Sequence, residues 1–217
     1  SVVVMETKTG EIKAISNLGR TSEGTYYEKL NYAVGESHEP GSTFKLMAMV
    51  RALEDKVIDT SDVIDTKNGI LSFYGRKVKD SKEGGYGKIS AARAFEVSSN
   101  TALVQIINDN YQDNPEKFIE GLFDMKINSP LGLPILGEGI PKFTHPNDKV
   151  NWDGLDLPWM AFGYGVSLTP LQTLTFYNAI ANNGVMVKPR FIKEVKQFDK
   201  IIKKFDTEII SNSICSQ

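Results

Sequence analysis

Glu39-Pro40-Gly41-Ser42-Thr43-Phe44-Lys45 is the stretch on which the fold prediction for this 217-residue chain depends. Pro40-Gly41 ends the segment before it, and residues 44–57 contain no Gly or Pro that would stop a helix. Residues three apart are neighbours on a helix surface, so Ser42 and Lys45 are within reach of each other. The stretch therefore predicts a helix that begins with a hydroxyl nucleophile beside an amine.

Lys45 is the only charged residue in the first half of the predicted helix, residues 44–50. The other residues there are apolar on every side, which is typical of a helix enclosed by the rest of its domain. Burial disfavours the ammonium form of a lysine and lowers its pKa. The pattern predicts a partly desolvated Lys45 whose neutral amine can act as a base.

An alternative interpretation of the same stretch needs no chemistry. Ser42 would be the N-cap of the helix, with its oxygen accepting a backbone N–H, and Lys45 would extend to water. A capping box would have Glu or Gln where Lys45 stands, which argues against the alternative. A Ser-x-x-Lys tetrad nevertheless arises about once by chance in a chain of this length, so the tetrad alone leaves both interpretations open.

A second polar motif, Ser98-Ser99-Asn100, separates two apolar, helix-compatible stretches, 89–97 and 101–107. Ser and Asn are typical of caps and breaks, because their side chains compete for nearby backbone groups. A cap of the second helix by Ser98 or Ser99 therefore explains the motif equally well. The chain has nevertheless only one Ser-x-Asn and only one Ser-x-x-Lys, and the two together are far more specific than either.

Local signals outside these motifs predict one continuous structure. Thr169-Pro170-Leu171-Gln172 supplies a cap, a first-turn proline and a capping-box Gln, and Gly184 is the expected helix terminator. Residues 128–156, rich in Gly, Pro and Asn, are expected to form an extended, ordered loop that serves a site. Other predicted elements are a hairpin around Gly69 and Gly75, a helix at 115–125, and a hairpin of 191–198 with 201–205 around Asp199-Lys200.

The motifs together resemble those of the transpeptidase domain of penicillin-binding proteins, within the serine acyltransferases that include class A β-lactamases. The residues around Ser42 resemble the high-molecular-mass class B enzymes. Segments 162–172 and 179–184, the latter followed by Pro189, resemble the division-type, FtsI-like branch. The similarity extends from about Val2 to about Val195, with no long unmatched insertion.

The resemblance implies an α/β (α+β) fold of the penicillin-binding protein and β-lactamase-like transpeptidase type, with a helical subdomain and an antiparallel sheet. We expect residues 1–217 to form one truncated transpeptidase domain. Its helical subdomain would span 42–185, and residues 1–41 and 186–217 would contribute an incomplete part of the sheet. The resemblance places the family's third motif, a Lys-Thr-Gly strand, beyond the end of this chain.

A literal Lys8-Thr9-Gly10 occurs near the start of the chain, between two strand-like runs, 2–6 and 11–15. It is predicted to be a hairpin turn and not the catalytic motif. A chain without the third-motif strand would leave a sheet edge unpaired and an apolar face uncovered, which favours association. We therefore expect this fragment to be oligomeric or marginally stable, and catalytically incomplete.

The resemblance also implies residue roles. Ser42, activated by Lys45, would attack the penultimate D-alanine of a peptidoglycan stem peptide and form an acyl-enzyme. Ser98 would relay a proton toward the leaving nitrogen, and Asn100 would hydrogen-bond Lys45 or the substrate. An amine of a neighbouring stem peptide would then accept the acyl group, and β-lactam antibiotics would trap Ser42.

Three further residues are expected to contact the substrate. Ser99 belongs to the second motif, and Tyr164 and Gly165 lie where the family folds a loop near the cleft. Aromatic-glycine runs also arise from ordinary packing, which is the alternative for the last two.

Composition and residue spacing argue against a nucleic-acid-binding, disulfide-bonded, metal-binding or cofactor-dependent protein. A net charge of −2 gives no electrostatic case for nucleic acid or for an anionic membrane surface. Cys215 is the only cysteine, so no internal disulfide can form. His38 and His145 are isolated, with no second ligand at metal spacing, and no phosphate-binding glycine loop is present, so neither a metal nor an organic cofactor is expected.

No apolar run approaches the roughly 20 residues of a spanning helix. The resemblance separately implies a domain on the periplasmic or extracytoplasmic face of the cell membrane, anchored by an N-terminal helix outside this chain. Division or elongation proteins would be its partners through the full-length protein.

Two other functions remain open at this stage. A β-lactam hydrolase or sensor of the same fold would share Ser42 and Lys45, and a non-catalytic interaction module would use them as ordinary caps. Labelled penicillin separates the three, since slow release of label indicates a transpeptidase, rapid turnover a hydrolase, and no labelling an interaction module.

Overall fold

The computed structural model describes residues 1–216, in which short strands alternate with helices along the chain. The α-helices are α1 (Tyr32–Gly35), α2 (Lys45–Glu54), α3 (Ala91–Glu96), α4 (Asn100–Tyr111), α5 (Pro115–Asp124), α6 (Asp156–Met160) and α7 (Pro170–Ala181), and a 3-10 helix, η1 (Gly41–Phe44), precedes α2. The strands are β1 (Val2–Met5), β2 (Ile12–Ser16), β3 (Leu18–Arg20), β4 (Tyr26–Glu28), β5 (Val63–Asp65), β6 (Ile70–Phe73), β7 (Arg76–Lys79), β8 (Lys88–Ser90), β9 (Lys142–Phe143), β10 (Val166–Ser167), β11 (Met186–Val187), β12 (Glu194–Gln197), β13 (Lys200–Lys204) and β14 (Ile209–Ser211).

The strands pair two by two, and each pair of described strands is antiparallel. Chain neighbours form the hairpins β1-β2, β3-β4, β6-β7 and β12-β13, whereas β5-β8, β9-β10 and β11-β14 join strands that are distant in the sequence. A single parallel bridge, Glu11 to Arg190, continues the first hairpin toward the C-terminal segment. In the described part of the chain no sheet has more than two strands.

Contacts divide the chain into two compact units. The first contains residues 1–38, 126–141 and the chain from Leu168 onward, and the second contains residues 39–125 and 142–167. Helices α2 to α6 belong to the second unit, as do all the residues predicted to form the site. The domain limits that the resemblance implied, with a helical subdomain at 42–185, stay a prediction.

The core of the second unit forms around α2. This helix packs against α3, α4 and α5, and its residues Met47 and Ala48 are fully buried, as is Phe44 directly before it. Full burial of a side chain as large as Phe or Met contributes about 1.5–3 kcal/mol, so α2 is a main source of stability in this unit. Tyr111 at the end of α4 donates a hydrogen bond to Asp55, just after α2, at 2.7 Å, which fixes the two helices to each other.

The first hairpin confirms the turn interpretation of Lys8-Thr9-Gly10. Strands β1 and β2 flank these residues, and Gly10 donates its N–H to the carbonyl of Glu6 at 2.9 Å. Gly10 has a φ of +72°, and a Cβ there would lie 2.3 Å from the carbonyl oxygen of Lys188. Only glycine is compatible with both conditions.

Several other local predictions are confirmed. The capping box of α7 is complete, because Thr169 and Gln172 each accept the other's backbone N–H, and Gly184 follows the helix at a φ of +84°. The hairpin β6-β7 turns at Tyr74-Gly75. Hairpin β12-β13 turns at Phe198-Asp199, one residue earlier than predicted, because these two residues adopt the positive φ that a tight hairpin needs.

The loop 128–156 is largely irregular, with only the short strand β9 inside it. Within residues 1–216 no helix combines the length and the apolar character needed to cross a bilayer.

Candidate active site

Ser42 lies inside the 3-10 helix η1, with its side chain exposed. The N-cap of η1 is Pro40 and that of α2 is Phe44, and neither has a side-chain cap hydrogen bond. The interpretation of Ser42 as a helix cap is therefore wrong, because the chain enters α2 through a 3-10 turn that needs no capping residue. Ser42 is therefore an exposed residue one turn before Lys45, and within residues 1–216 no hydrogen bond joins its hydroxyl to the Lys45 amine.

Lys45 is enclosed, with only 1% of the residue exposed. Its Nζ donates to the carbonyl oxygen of Ser98 at 2.7 Å, to Ser98 Oγ at 2.9 Å and to Asn100 Oδ1 at 2.6 Å. These three acceptors match the three N–H donors of an ammonium group. The structure therefore brings Lys45, Ser98 and Asn100 together as the sequence predicted, and excludes the alternative in which Lys45 extends to water.

Burial lowers the pKa of Lys45 from 10.5 to about 8, against a smaller opposing effect of the Asp80 carboxylate. At pH 7 about a tenth of such amines are neutral, against about three in ten thousand at the ordinary pKa. A base must be unprotonated to accept a proton, so this shift makes Lys45 a usable base near neutral pH.

The turn between α3 and α4 directs Ser98 at the amine. Ser98 has a φ of +53°, an unusual conformation for a residue with a side chain, and both its carbonyl and its hydroxyl point to Lys45. The Asn100 amide is held at both ends, because its Nδ2 donates to the carbonyl of Lys79 at 2.7 Å while its Oδ1 faces Lys45. The orientation of this amide is therefore fixed before any substrate arrives.

Ser99 is the one predicted substrate contact that the structure contradicts. The residue is 1% exposed, and its Oγ accepts the N–H of Ala102 at 3.1 Å as the N-cap of α4. The same hydroxyl donates to Asp80. A side chain that is buried and fully bonded in this way supports the helix, as the capping alternative for the motif predicted, and does not meet a substrate.

Tyr164 and Gly165 lie in a loop that is bonded directly to the segment before Ser42. Gly165 donates its N–H to Glu39 Oε1 at 3.0 Å, and Gly41 donates to the carbonyl of Gly163 at 3.1 Å. Tyr164 is 43% exposed, with its ring edge-on to that of Phe162. The loop thus supports the start of η1 from one side and leaves the Tyr164 side chain accessible.

Asp80 contacts the second motif, although no local sequence pattern predicted it. Its carboxylate accepts hydrogen bonds from Ser99 and from both the backbone and the hydroxyl of Thr101. Nothing in the local sequence distinguishes Asp80 from the other acidic residues of the segment 59–86, because its partners are 19 and 21 residues away. Only the pairing of β6 with β7 brings it to the second motif.

The structure also corrects the prediction that His145 has no second ligand nearby. Ligand atoms of Glu116, Glu120 and His145 lie within 4.8 Å of one another. His145 Nδ1, however, accepts the backbone N–H of Asn147 at 3.1 Å, so the ring proton is on Nε2, where it faces Glu120 at 2.9 Å. A metal ion on Nε2 would need the opposite tautomer, so these residues form a hydrogen-bonded network.

The cluster combines an exposed serine, a desolvated lysine one turn later, and a Ser-x-Asn turn that binds the lysine amine. On a mixed α and β fold, this combination is typical of the active-site serine acyltransferases. The chain belongs to the penicillin binding protein transpeptidase domain family, whose model matches residues 1–216.

Curated relatives agree with this assignment. The chain is 30% identical over 204 residues to the penicillin-binding protein PbpB of Mycolicibacterium smegmatis, covering 89% of this chain and 30% of that protein. It is 27% identical over 208 residues to the stage V sporulation protein D of Bacillus subtilis, covering 93% and 31%. It is 24% identical over 190 residues to the peptidoglycan D,D-transpeptidase FtsI of Escherichia coli, covering 85% and 31%. The chain thus spans about a third of the length of these relatives.

Solved structures confirm the predicted fold class. The apo structure of the TP domain from Burkholderia pseudomallei penicillin-binding protein 3 superposes with a TM-score of 0.77 at 20% identity, covering 99% of this chain and 56% of that one. A putative peptidoglycan glycosyltransferase from Atopobium parvulum gives a TM-score of 0.77 at 22% identity, with 99% and 48% covered. The predicted α/β (α+β) transpeptidase fold is therefore correct.

Proposed function

We propose that this chain is the D,D-transpeptidase domain of a peptidoglycan synthase, which cross-links stem peptides through an acyl-enzyme on Ser42 and is acylated there by β-lactams. The observation that carries the proposal is the buried amine of Lys45, bonded to Ser98 and Asn100 and one turn from an exposed serine. Membership in the transpeptidase family supplies the substrate class.

In the first half-reaction, Ser42 Oγ attacks the carbonyl carbon of the penultimate D-alanine and transfers its proton to the neutral amine of Lys45. The tetrahedral intermediate then collapses with cleavage of the bond to the terminal D-alanine. Ser98 Oγ, 2.9 Å from Lys45 Nζ, relays the proton to the leaving nitrogen. The backbone N–H of Ser42 contributes one donor to the oxyanion.

In the second half-reaction, the amine of a neighbouring stem peptide attacks the acyl-enzyme. Its excess proton returns through Ser98 and Lys45 to Ser42 as the ester bond breaks, so the enzyme is regenerated and a peptide cross-link is formed. Asn100 keeps the amine of Lys45 in place throughout, because its own Nδ2 is fixed to the carbonyl of Lys79.

Tyr164 is proposed to contact the substrate, since it is accessible on the loop bonded to the segment before Ser42. Gly165 contributes space and not a hydrogen-bond donor, because Glu39 already accepts its N–H. We further propose that the domain acts on the extracytoplasmic side of the membrane, anchored by a helix outside this chain, with division or elongation proteins as its partners.

A β-lactam hydrolase or sensor is the second candidate, because both would use the same serine and lysine. They differ from a transpeptidase in the fate of the acyl-enzyme. The relatives quoted above include a protein named as a peptidoglycan D,D-transpeptidase, which favours the first candidate.

Labelled penicillin tests the proposal. We expect the whole protein to gain one covalent label on Ser42, detected by mass spectrometry, and to release it slowly. Ser42→Ala should gain none, whereas Ser22→Ala, a change at another exposed serine, should label normally. Rapid release would indicate the hydrolase instead, and absence of label from the unaltered protein would overturn both enzyme assignments.

The pH dependence of this labelling is a second prediction. The amine of Lys45 must lose its proton to act as a base, and its pKa is lowered to about 8. The acylation rate constant should therefore rise about tenfold per pH unit below pH 8 and level off above it. A rate measured from pH 6 to pH 9.5 that stays constant would contradict the assignment of Lys45 as the base.

A further inference from the structure

We propose that Asp80 is a positioning residue for acyl transfer at Ser42, acting through the turn that carries Ser98 and Asn100. The proposal rests on the function proposed above and extends its machinery to a residue outside both motifs. Asp80 directly follows β7, and it touches neither Ser42 nor the amine of Lys45 through a hydrogen bond in the described part of the chain.

Both oxygens of the Asp80 carboxylate accept hydrogen bonds from residues beside Asn100. Oδ1 accepts from the backbone N–H of Thr101 and from Ser99 Oγ, each at 3.0 Å. Oδ2 accepts from Thr101 Oγ1 at 2.8 Å and from Ser99 Oγ at 3.1 Å. Ser99 and Thr101 are almost completely buried, so these bonds are protected from water. They fix the residues on either side of Asn100.

Lys79, the residue before Asp80, holds the Asn100 side chain. The carbonyl of Lys79 accepts from Asn100 Nδ2 at 2.7 Å, and Asn100 Oδ1 is thereby directed at Lys45. The two-residue segment Lys79-Asp80 thus holds both the backbone and the side chain of the motif. Displacement of this segment would change the position of the acceptors around the amine.

The segment is itself anchored. Asp80 donates its backbone N–H to the carbonyl of Gly69 at 2.9 Å. Gly69 and Gly85 cross so closely that a Cβ on Gly69 would lie 2.7 Å from the Cα of Gly85, and both have positive φ. The close approach of the two backbones at Gly69 and Gly85, together with the hydrogen bond to Gly69, fixes Asp80 relative to the start of β6.

Ser98, at the same turn, has an unusual backbone conformation. A residue with a side chain persists at a φ of +53° only where its surroundings determine it, because that conformation is unfavourable by itself. Ser98 precedes the residues that Asp80 holds, and both of its oxygens bind Lys45. Asp80 is the charged group that stabilises the start of α4 directly after this strained turn.

The charge of Asp80 gives a signature that a purely structural residue would lack. Its carboxylate raises the pKa of Lys45 against the effect of burial. The charged groups on the neighbouring helices are paired elsewhere, Arg93 with Glu96 on α3 and Lys117 of α5 with Asp55. Removal of the charge should therefore move the pH midpoint of acylation downward.

The experiment measures the rate constant for acylation of Ser42 by labelled penicillin, from pH 6 to pH 9.5, in the whole protein. Asp80→Asn, which keeps the shape but removes the charge, should lower the plateau rate at least tenfold and shift the midpoint to lower pH. Thr101→Val, which removes one of the hydrogen bonds and leaves the charge, should lower the plateau several-fold without a shift. Asp148→Asn is the matched control, because Asp148 likewise accepts backbone N–H groups in a loop of the same unit.

The outcomes separate this inference from the proposed function. If the unaltered protein labels at Ser42 and both Asp80→Asn and Thr101→Val keep its plateau and midpoint, the positioning role is overturned and the transpeptidase proposal stands. If the unaltered protein does not label, the proposed function itself fails. If a thermal melt shows that Asp80→Asn does not fold, Thr101→Val provides the test. An unaltered plateau rate in Thr101→Val would then contradict the positioning role of Asp80.

Discussion

Lys45→Met is expected to lower the rate constant for acylation of Ser42 by about 10² to 10⁴, the usual contribution of a positioned general base. Methionine has a similar length and suits the buried slot, so the loss reflects the missing amine and not a cavity. The carbonyl of Ser98 and the amide oxygen of Asn100 lose their donor, and each lost hydrogen bond costs about 0.5–1.5 kcal/mol of stability, because Ser98 is exposed and Asn100 half-buried.

The measurement is the rate of labelling by penicillin at pH 8.5, together with a thermal melt of each variant. Lys117→Met is the matched control, because Lys117 lies half-exposed on the neighbouring helix α5 and contributes at most about 1 kcal/mol through its ion pair with Asp55. It should label at the unaltered rate. A Lys45→Met protein that folds and labels within a few-fold of the unaltered rate would show that another group is the base.

Gly163→Ala is expected to have the largest effect on stability. The residue has a φ of +89°, and a Cβ there would lie 2.1 Å from the carbonyl oxygen of Gly41, next to the nucleophile. The strained backbone and the overlap together should lower the free energy of unfolding by about 2–5 kcal/mol. For a chain of this size that corresponds to a fall in melting temperature of about 5–15 °C.

Gly84→Ala measures the cost of a positive φ alone, without any overlap of the added Cβ. Gly84 has a similar φ of +78° in the same unit, but a Cβ there meets nothing within 4 Å. Its melting temperature should fall by only a few degrees. Gly163→Ala should also slow labelling of Ser42, because relief of the overlap displaces η1. Equal melting temperatures for the two variants would refute the close contact with Gly41.

Local sequence signals predicted most of the elements, because the determinants lie within a few residues of each other. The capping box of α7 and the turn at Gly10 depend on neighbours along the chain. The burial of Lys45 was predictable for a similar reason, since the other residues of 44–50, the first half of the predicted helix, are all apolar.

The features of the site that the sequence did not predict depend on contacts between residues far apart in the chain. The bonds of Asp80 to the second motif require the hairpin β6-β7 to return to the start of α4, and no local pattern encodes that return. Ser99 was predicted as a substrate contact because the motif does not reveal which of its two serines faces inward. That choice follows from the φ of Ser98, which only the three-dimensional structure provides.

The three acceptors around the Lys45 amine impose an order on proton movement. A neutral amine has two N–H groups and one lone pair, so deprotonation forces one of the three bonds to reverse its direction. The carbonyl of Ser98 and the fixed oxygen of Asn100 can only accept, whereas the hydroxyl of Ser98 can also donate. Of the three groups bonded to the Lys45 amine, only the Ser98 hydroxyl can donate into the lone pair, so a proton that moves along these bonds passes through Ser98.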